Sequence, residues 1–148
     1  MLNLDQATPK LQLGYRYWDA KRAGRRMPAR ADIDPAEMVP FLSHVVLVDV
    51  LTDPPDFRYR LMGTTVDLHM LRPYTGVQLS DIPHQRPPSR MWDNFTSVAT
   101  NREPIVTNVP YVGPHKEFLR VQDIIMPLSA DGTNVNMLFA IVDFVSRS

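Results

Sequence analysis

The chain contains no cysteine. That removes disulfides, thiolate nucleophiles and the commoner structural zinc sites together. Glycine is sparse: the six residues stand at 14, 24, 63, 76, 113 and 132, too far apart to build a glycine-rich phosphate cradle. No serine lies in a G-x-S-x-G elbow, and His44, His69, His84 and His115 are too scattered for a two-histidine helical metal site. Net charge is absent as well, with 16 basic and 16 acidic side chains, so bulk charge favours neither nucleic acid nor a membrane as partner. No uninterrupted apolar run approaches the roughly 20 residues needed to cross a bilayer. The opening MLNLDQATPK also lacks a basic segment followed by an apolar one, so a cytoplasmic location is expected.

Charge is nevertheless uneven. Residues 1–31 carry Lys10, Arg16, Lys21, Arg22, Arg25, Arg26 and Arg30 against Asp5 and Asp19, an excess of five positive charges that the remainder balances. Without aromatic residues interleaved in the basic cluster, this reads as the solvated face of a helix in preference to a nucleic-acid arm. Asp32 and Asp34 stand in a D-x-D pair, but immediately ahead of Pro35 they read as helix-capping residues rather than metal ligands.

What is present is a sequence of short, well-punctuated elements. Thr8-Pro9 is a cap and first position for a helix from Lys10 to about Ala23, with Leu11, Tyr15, Trp18 and Arg22 on one face and Leu13 and Tyr17 round from it. Asp34-Pro35 opens a second short helix bounded by Pro40. Val45–Val50 is apolar on both faces, as a strand covered above and below requires. Asp53-Pro54-Pro55-Asp56 turns the chain into a strand over 57–62, where Phe57, Tyr59 and Leu61 alternate with Arg58, Arg60 and Met62. Gly63 breaks that strand, and Thr64 or Thr65 can cap a helix carrying Val66, Leu68, His69 and Leu71 up to Pro73. A turn and hydrophobic anchor, Thr75–Ile82, precede a helix from Ser89 to Asn101 with an apolar stripe of Met91, Trp92, Phe95, Val98 and Ala99. Three strands follow: Ile105–Val112, bounded by prolines as an edge strand would be; Glu117–Leu128 after a Gly113-Pro114-His115 turn; and Asn136–Val145 after Asp131-Gly132. Two strands, several helices and three strands make an α+β order.

The strand, Gly-Thr break, short helices and T-G-x-x-L-S-D-I segment resemble the PAS sensory fold. More narrowly, Trp18, Gly24, Met27-Pro28, Arg30, Asp32-Ile33-Asp34-Pro35, Asp49-Val50 and Phe57-Arg58-Tyr59-Arg60-Leu61-Met62-Gly63-Thr64 are similar, in order, to the shared text of short bacterial single-domain PAS proteins. The resemblance implies a five-stranded antiparallel sheet of order 2-1-5-4-3, with short helices on one face and an N-terminal helix. Residues 1–31 would form the helix and basic connector, and 32–148 the PAS-like domain. It implies a homodimer paired through the N-terminal helix at Leu11, Tyr15 and Trp18. Some PAS domains hold haem through a histidine on the long helix before the third strand; Ser89–Asn101 has none. Covalent flavin chemistry of the light-sensing kind needs a cysteine. Covalent flavin is therefore excluded, haem is not expected although His69 could reach a cavity from the short preceding helix, and the identity of any cofactor stays open.

Two functions follow. The first is a non-catalytic sensory or adaptor module holding a small, largely apolar ligand or a signalling partner. Its helix wall would be Met91, Trp92 and Phe95, faced by Tyr59, Leu61 and His69, with Arg120 meeting an acid group should its face point inward. The second is a small cone-shaped α+β enzyme acting on a hydrophobic substrate, with Asp123 as base, because a buried carboxylate can work near neutrality.

Overall fold

The computed structural model describes residues 2–111, 115 and 117–146. Helix α1 (Pro9–Arg22) begins where Thr8 Oγ1 accepts the Leu11 N–H, and ends where Ala23 turns left-handed and Gly24 follows at φ +82°. A run of single 3₁₀ turns then leads to β1 (Val45–Thr52). In it Asp32 accepts the Ala29 N–H and an Arg25 guanidinium hydrogen, while Asp34 accepts the Ala36 N–H, so both aspartates serve the backbone, as capping chemistry predicts. After β1 come β2 (Pro55–Met62), α2 (Thr64–Leu68), α3 (Arg90–Asn101), β3 (Ile105–Pro110), β4 (Phe118–Leu128) and β5 (Met137–Ser146). Val112 and the Gly113-Pro114 turn lie outside the described residues.

The five strands form one antiparallel sheet in the order β2-β1-β5-β4-β3. The two strands apolar on both sides, β1 and β5, are neighbours at its centre, and each face has its own core. On one face α1 and the following connector bring Leu11, Trp18, Met27, Ile33 and Met38 against Val45, Leu47, Ile124, Met126, Phe139 and Ile141. On the other, α2, α3 and the loop between them bring Val66, Leu79, Ile82, Phe95 and Val98 against Val46, Val48, Phe57, Tyr59, Ile125, Leu138 and Ala140. Met27 of the connector thus packs in the same core as the strands. Leu11 and Trp18, expected at a dimer interface, are enclosed in the chain's own core, and Trp18 Nε1 donates to Pro127 O at 2.9 Å. Tyr15 is half-buried beside Trp18.

The basic cluster is neutralised locally. Lys21 pairs with Glu37, Arg22 with Asp19, Arg25 with Asp32, and Arg26 more loosely with Glu103. Exposed pairs of this kind add little stability. They do, however, disperse the positive field that a nucleic-acid surface needs.

Two further local expectations are corrected. Gly63 caps α2 without a side-chain bond, and Thr65 instead donates its hydroxyl to Ser43 Oγ at 3.0 Å. The helix stops at Leu68, leaving Leu68 and Leu71 more than 70 % exposed, since Val66 is the one residue of α2 that is buried.

At two glycines the packing leaves no room for a side chain. A methyl on Gly63 would fall on the Ser43 carbonyl oxygen, which belongs to the backbone, whereas a methyl on Gly14 would meet the Ile141 side chain. Gly63→Ala is therefore expected to cost about 3 kcal/mol, at the upper end of overpacking penalties. Gly14→Ala should cost less, because Ile141 can yield and alanine favours a helix by about 1 kcal/mol. Urea denaturation of both variants checks the order; equal loss would contradict it.

Candidate functional site

The helix-covered face of the sheet holds most of the side chains expected to form a binding wall. Phe57 is the hub: its ring meets Trp92 at 5.2 Å and Phe95 at 5.4 Å, both edge-on, and Phe95 in turn meets Tyr59 at 6.4 Å. The sequence places Trp92 and Phe95 here because Ser89 caps α3 by accepting the Trp92 N–H, which fixes the phase of the apolar stripe. Met91 is half-buried against the same core. Tyr59, Met91, Trp92 and Phe95 are thus brought together.

Leu61 and Arg120 are not. A bulge in β2 pairs Leu47 with Leu61 but Val48 with Tyr59, so Arg60 is an extra residue and the alternation restarts one place out of phase. Met62 then turns inward and Leu61 lies on the opposite face, 40 % exposed. Arg58 and Arg60, both freed to that opposite face, converge on the buried carboxylate of Asp49. Arg120 shares its side of β4 with Gln122, whose amide faces the N-terminal segment, so it cannot meet a ligand beneath α3. Its Nε is buried without a partner among the described residues.

His69 lies at the far end of the same face, in a different group. Its ring stacks on Phe144 at 3.8 Å, with Tyr111, His115 and Phe118 edge-on around it. Tyr111 accepts the His115 N–H at 3.1 Å and lies 2.8 Å from His69 Nδ1. Burial, then the neighbouring His115, pulls the His69 pKa below its ordinary value.

Two polar pairs interrupt the apolar interior. Tyr59 donates its hydroxyl to Gln85 Oε1 at 2.6 Å, and burial pushes its pKa up. Thr107 on β3 donates to Asp123 on β4, directly across the ladder. Asp123 is 92 % buried; desolvation pushes its pKa up to about 6, against the lowering effect of the Thr107 bond. The alternation of β4 already put Asp123 on the face of Val121 and Ile125. Gln85, in contrast, stands in a proline-rich loop with no periodic signal, so sequence reasoning passed over it.

Two surface cavities are formed elsewhere. One of about 500 Å³ lies beside β3, under the N-terminal segment; the other, of about 370 Å³, lies at the β1–β2 turn. Neither includes Tyr59, His69, Met91, Trp92 or Phe95. Among the described residues no cluster of three or more metal-ligating side chains occurs, and no helix is long and apolar enough to cross a membrane.

A family model described as PAS domain matches residues 6–142. The chain belongs to the PAS domain family. PAS domains are sensory modules of signal transduction, and the match spans the N-terminal helix as well as the sheet. Among solved structures, a sensory box sensor histidine kinase from Vibrio cholerae aligns with a TM-score of 0.54 at 10 % identity, over 76 % of this chain and 90 % of that one. At that identity the likeness speaks for the fold, which is the PAS fold and not the cone-shaped alternative. No curated protein matches the chain.

Asp123 makes stability depend on pH in a defined direction. Below about pH 4 its carboxyl is protonated both folded and unfolded. As pH rises through about 6, the unfolded chain gains ionisation that the folded interior resists, so stability falls. A shift of about two units corresponds to roughly 3 kcal/mol lost by pH 8. About half of it is already lost at pH 5, so denaturant titrations at pH 5 and pH 8 should show a fall of about 1.4 kcal/mol in the native chain and little of it in Asp123→Asn; an unchanged pH slope in the variant would contradict the assignment.

Proposed function

We propose that the chain is a non-catalytic sensory adaptor that acts by holding a protein partner. The observation supporting this is the filled interior: Phe57, Tyr59, Tyr74, Leu79, Ile82 and Phe95 occupy the space under α3 where a resident ligand would lie. A domain whose interior is its own core keeps its outer surfaces for communication. Pairing of two copies through α1 falls to that helix's outward side, around Leu13, because Leu11 and Trp18 are committed to the sheet.

A second reading is supported by Asp123. A carboxyl group with one hydrogen-bonding partner in apolar surroundings is costly to keep, and such groups concentrate at functional sites. A small apolar ligand carrying a hydrogen-bond donor, admitted by movement of α3, would find its polar anchor there.

Native mass spectrometry of the purified chain separates the two. The adaptor reading expects the mass of the bare chain, and a thermal midpoint that moves less than about 2 °C with aromatic or fatty-acid-like compounds, under 1 kcal/mol for a chain of this size. A bound small molecule that disappears in Asp123→Asn would overturn it in favour of the ligand.

A further inference from the structure

We propose that the outer edge of β3, with the trough beside it, takes an extended peptide segment of a partner protein as a sixth strand. This deepens the adaptor reading and rests on it, naming where the partner binds and by what chemistry.

Strand β3 closes the sheet on one side and, among the described residues, pairs only with β4. Tyr111, just beyond its end, donates its N–H to Leu119 O at 3.2 Å, which makes Tyr111 and Leu119 a hydrogen-bonded antiparallel pair. In an antiparallel ladder bonded and non-bonded pairs alternate. Val109 with Val121, Thr107 with Asp123 and Ile105 with Ile125 are therefore the bonded pairs. The N–H and C=O groups of Val106 and Asn108, and the C=O of Pro110, point away from the sheet, and none of them has a partner among the described residues. Pro110 has no N–H to offer, so the open donors are two, spaced two residues apart, as an incoming strand requires.

The trough of about 500 Å³ opens between β3 and the N-terminal segment, with Val106 and Asn108 themselves in its lining. Its polar walls are amides: Asn3 and Gln6 from the N-terminal segment, Asn101 from the end of α3, and Gln122 beneath. Carboxamides offer the same donor and acceptor as a peptide group, so they suit main chain as a partner. Gln122 is 2 % exposed and fully engaged, accepting the Thr8 N–H and donating to Gln6 O and Asn108 Oδ1. It fixes both walls and turns the Asn108 NH₂ end outward, toward an incoming group. Glu103 is the one charged residue of the lining; the cation paired with it among the described residues, Arg26, is 3.7 Å away and exposed, a weak pair. The occupant is therefore an extended, polar or small-residue segment with a basic side chain near one end. Open main-chain groups repeating at strand spacing fit that segment better than they fit a compact small molecule.

The test uses a phage library of random seven-residue peptides selected against the whole chain, with an enriched sequence then made synthetically. Binding should shift the amide resonances of Val106 and Asn108. Methylating alternate backbone nitrogens of the peptide should weaken it at least ten-fold, a control that leaves the protein untouched. Val106→Pro and Asn108→Pro each remove an outward N–H together with a side chain of the lining, without removing a ladder bond to β4, and should weaken binding at least as far. Enriched peptides whose resonance shifts gather elsewhere, around Trp92 or His69, overturn the placement and leave the adaptor reading standing. A library that yields no binder overturns both. Sedimentation showing a dimer of the native chain that Asn108→Pro converts to monomer would assign the edge to a second copy and overturn the peptide.

Discussion

The structure depends on covering the central strands from both sides. β1 and β5 place apolar side chains on both faces, at Val45 to Val48 and Met137 to Ile141, so neither could sit in a sheet with one wet face. The remaining elements follow from that demand. α1 must fold back over one face, bringing Trp18 to the Pro127 carbonyl, and α3 must lie over the other, bringing Phe95 to Phe57 and Tyr59. Removing either cover would expose a continuous apolar sheet surface. The segment ahead of the sheet is for this reason as much a part of the domain as the strands themselves.

The same demand explains why so much of the architecture was legible in the sequence. Two-sided apolar runs marked the central strands, prolines at 104 and 110 marked an edge, and Ser89 and Thr8 marked helix starts that the structure keeps. These are local signals with one physical solution each. Helix α2 was less legible: its threonines looked like caps, but the close approach of Gly63 to the Ser43 backbone fixes the chain there and Thr65 is used sideways.

The site was legible only in part, because face assignments are fragile. One extra residue in β2, Arg60, was enough to carry Leu61 to the other side of the sheet and bring Met62 inward. A bulge leaves no trace in a stretch that alternates cleanly through it. Arg120 depended on the parity of β4, which the sequence could not orient until Gln122 was seen to hold the N-terminal segment. Asp123 was found from parity alone, whereas its partner Thr107 belongs to another strand and required the register. Gln85 and the aromatic group around His69 are products of tertiary packing, with nothing in their neighbourhoods to announce them.

The absence of a side chain at Gly14 has a mechanical side. Backbone of α1 rests directly on the Ile141 side chain of β5, with no side chain of its own between them. Only the Ile141 side chain stands between the two elements, so a tilt of the central strand is passed to the helix unless that one side chain changes its rotamer. The N-terminal helix is thus a follower of the sheet, and its attitude reports what happens to a strand that it covers.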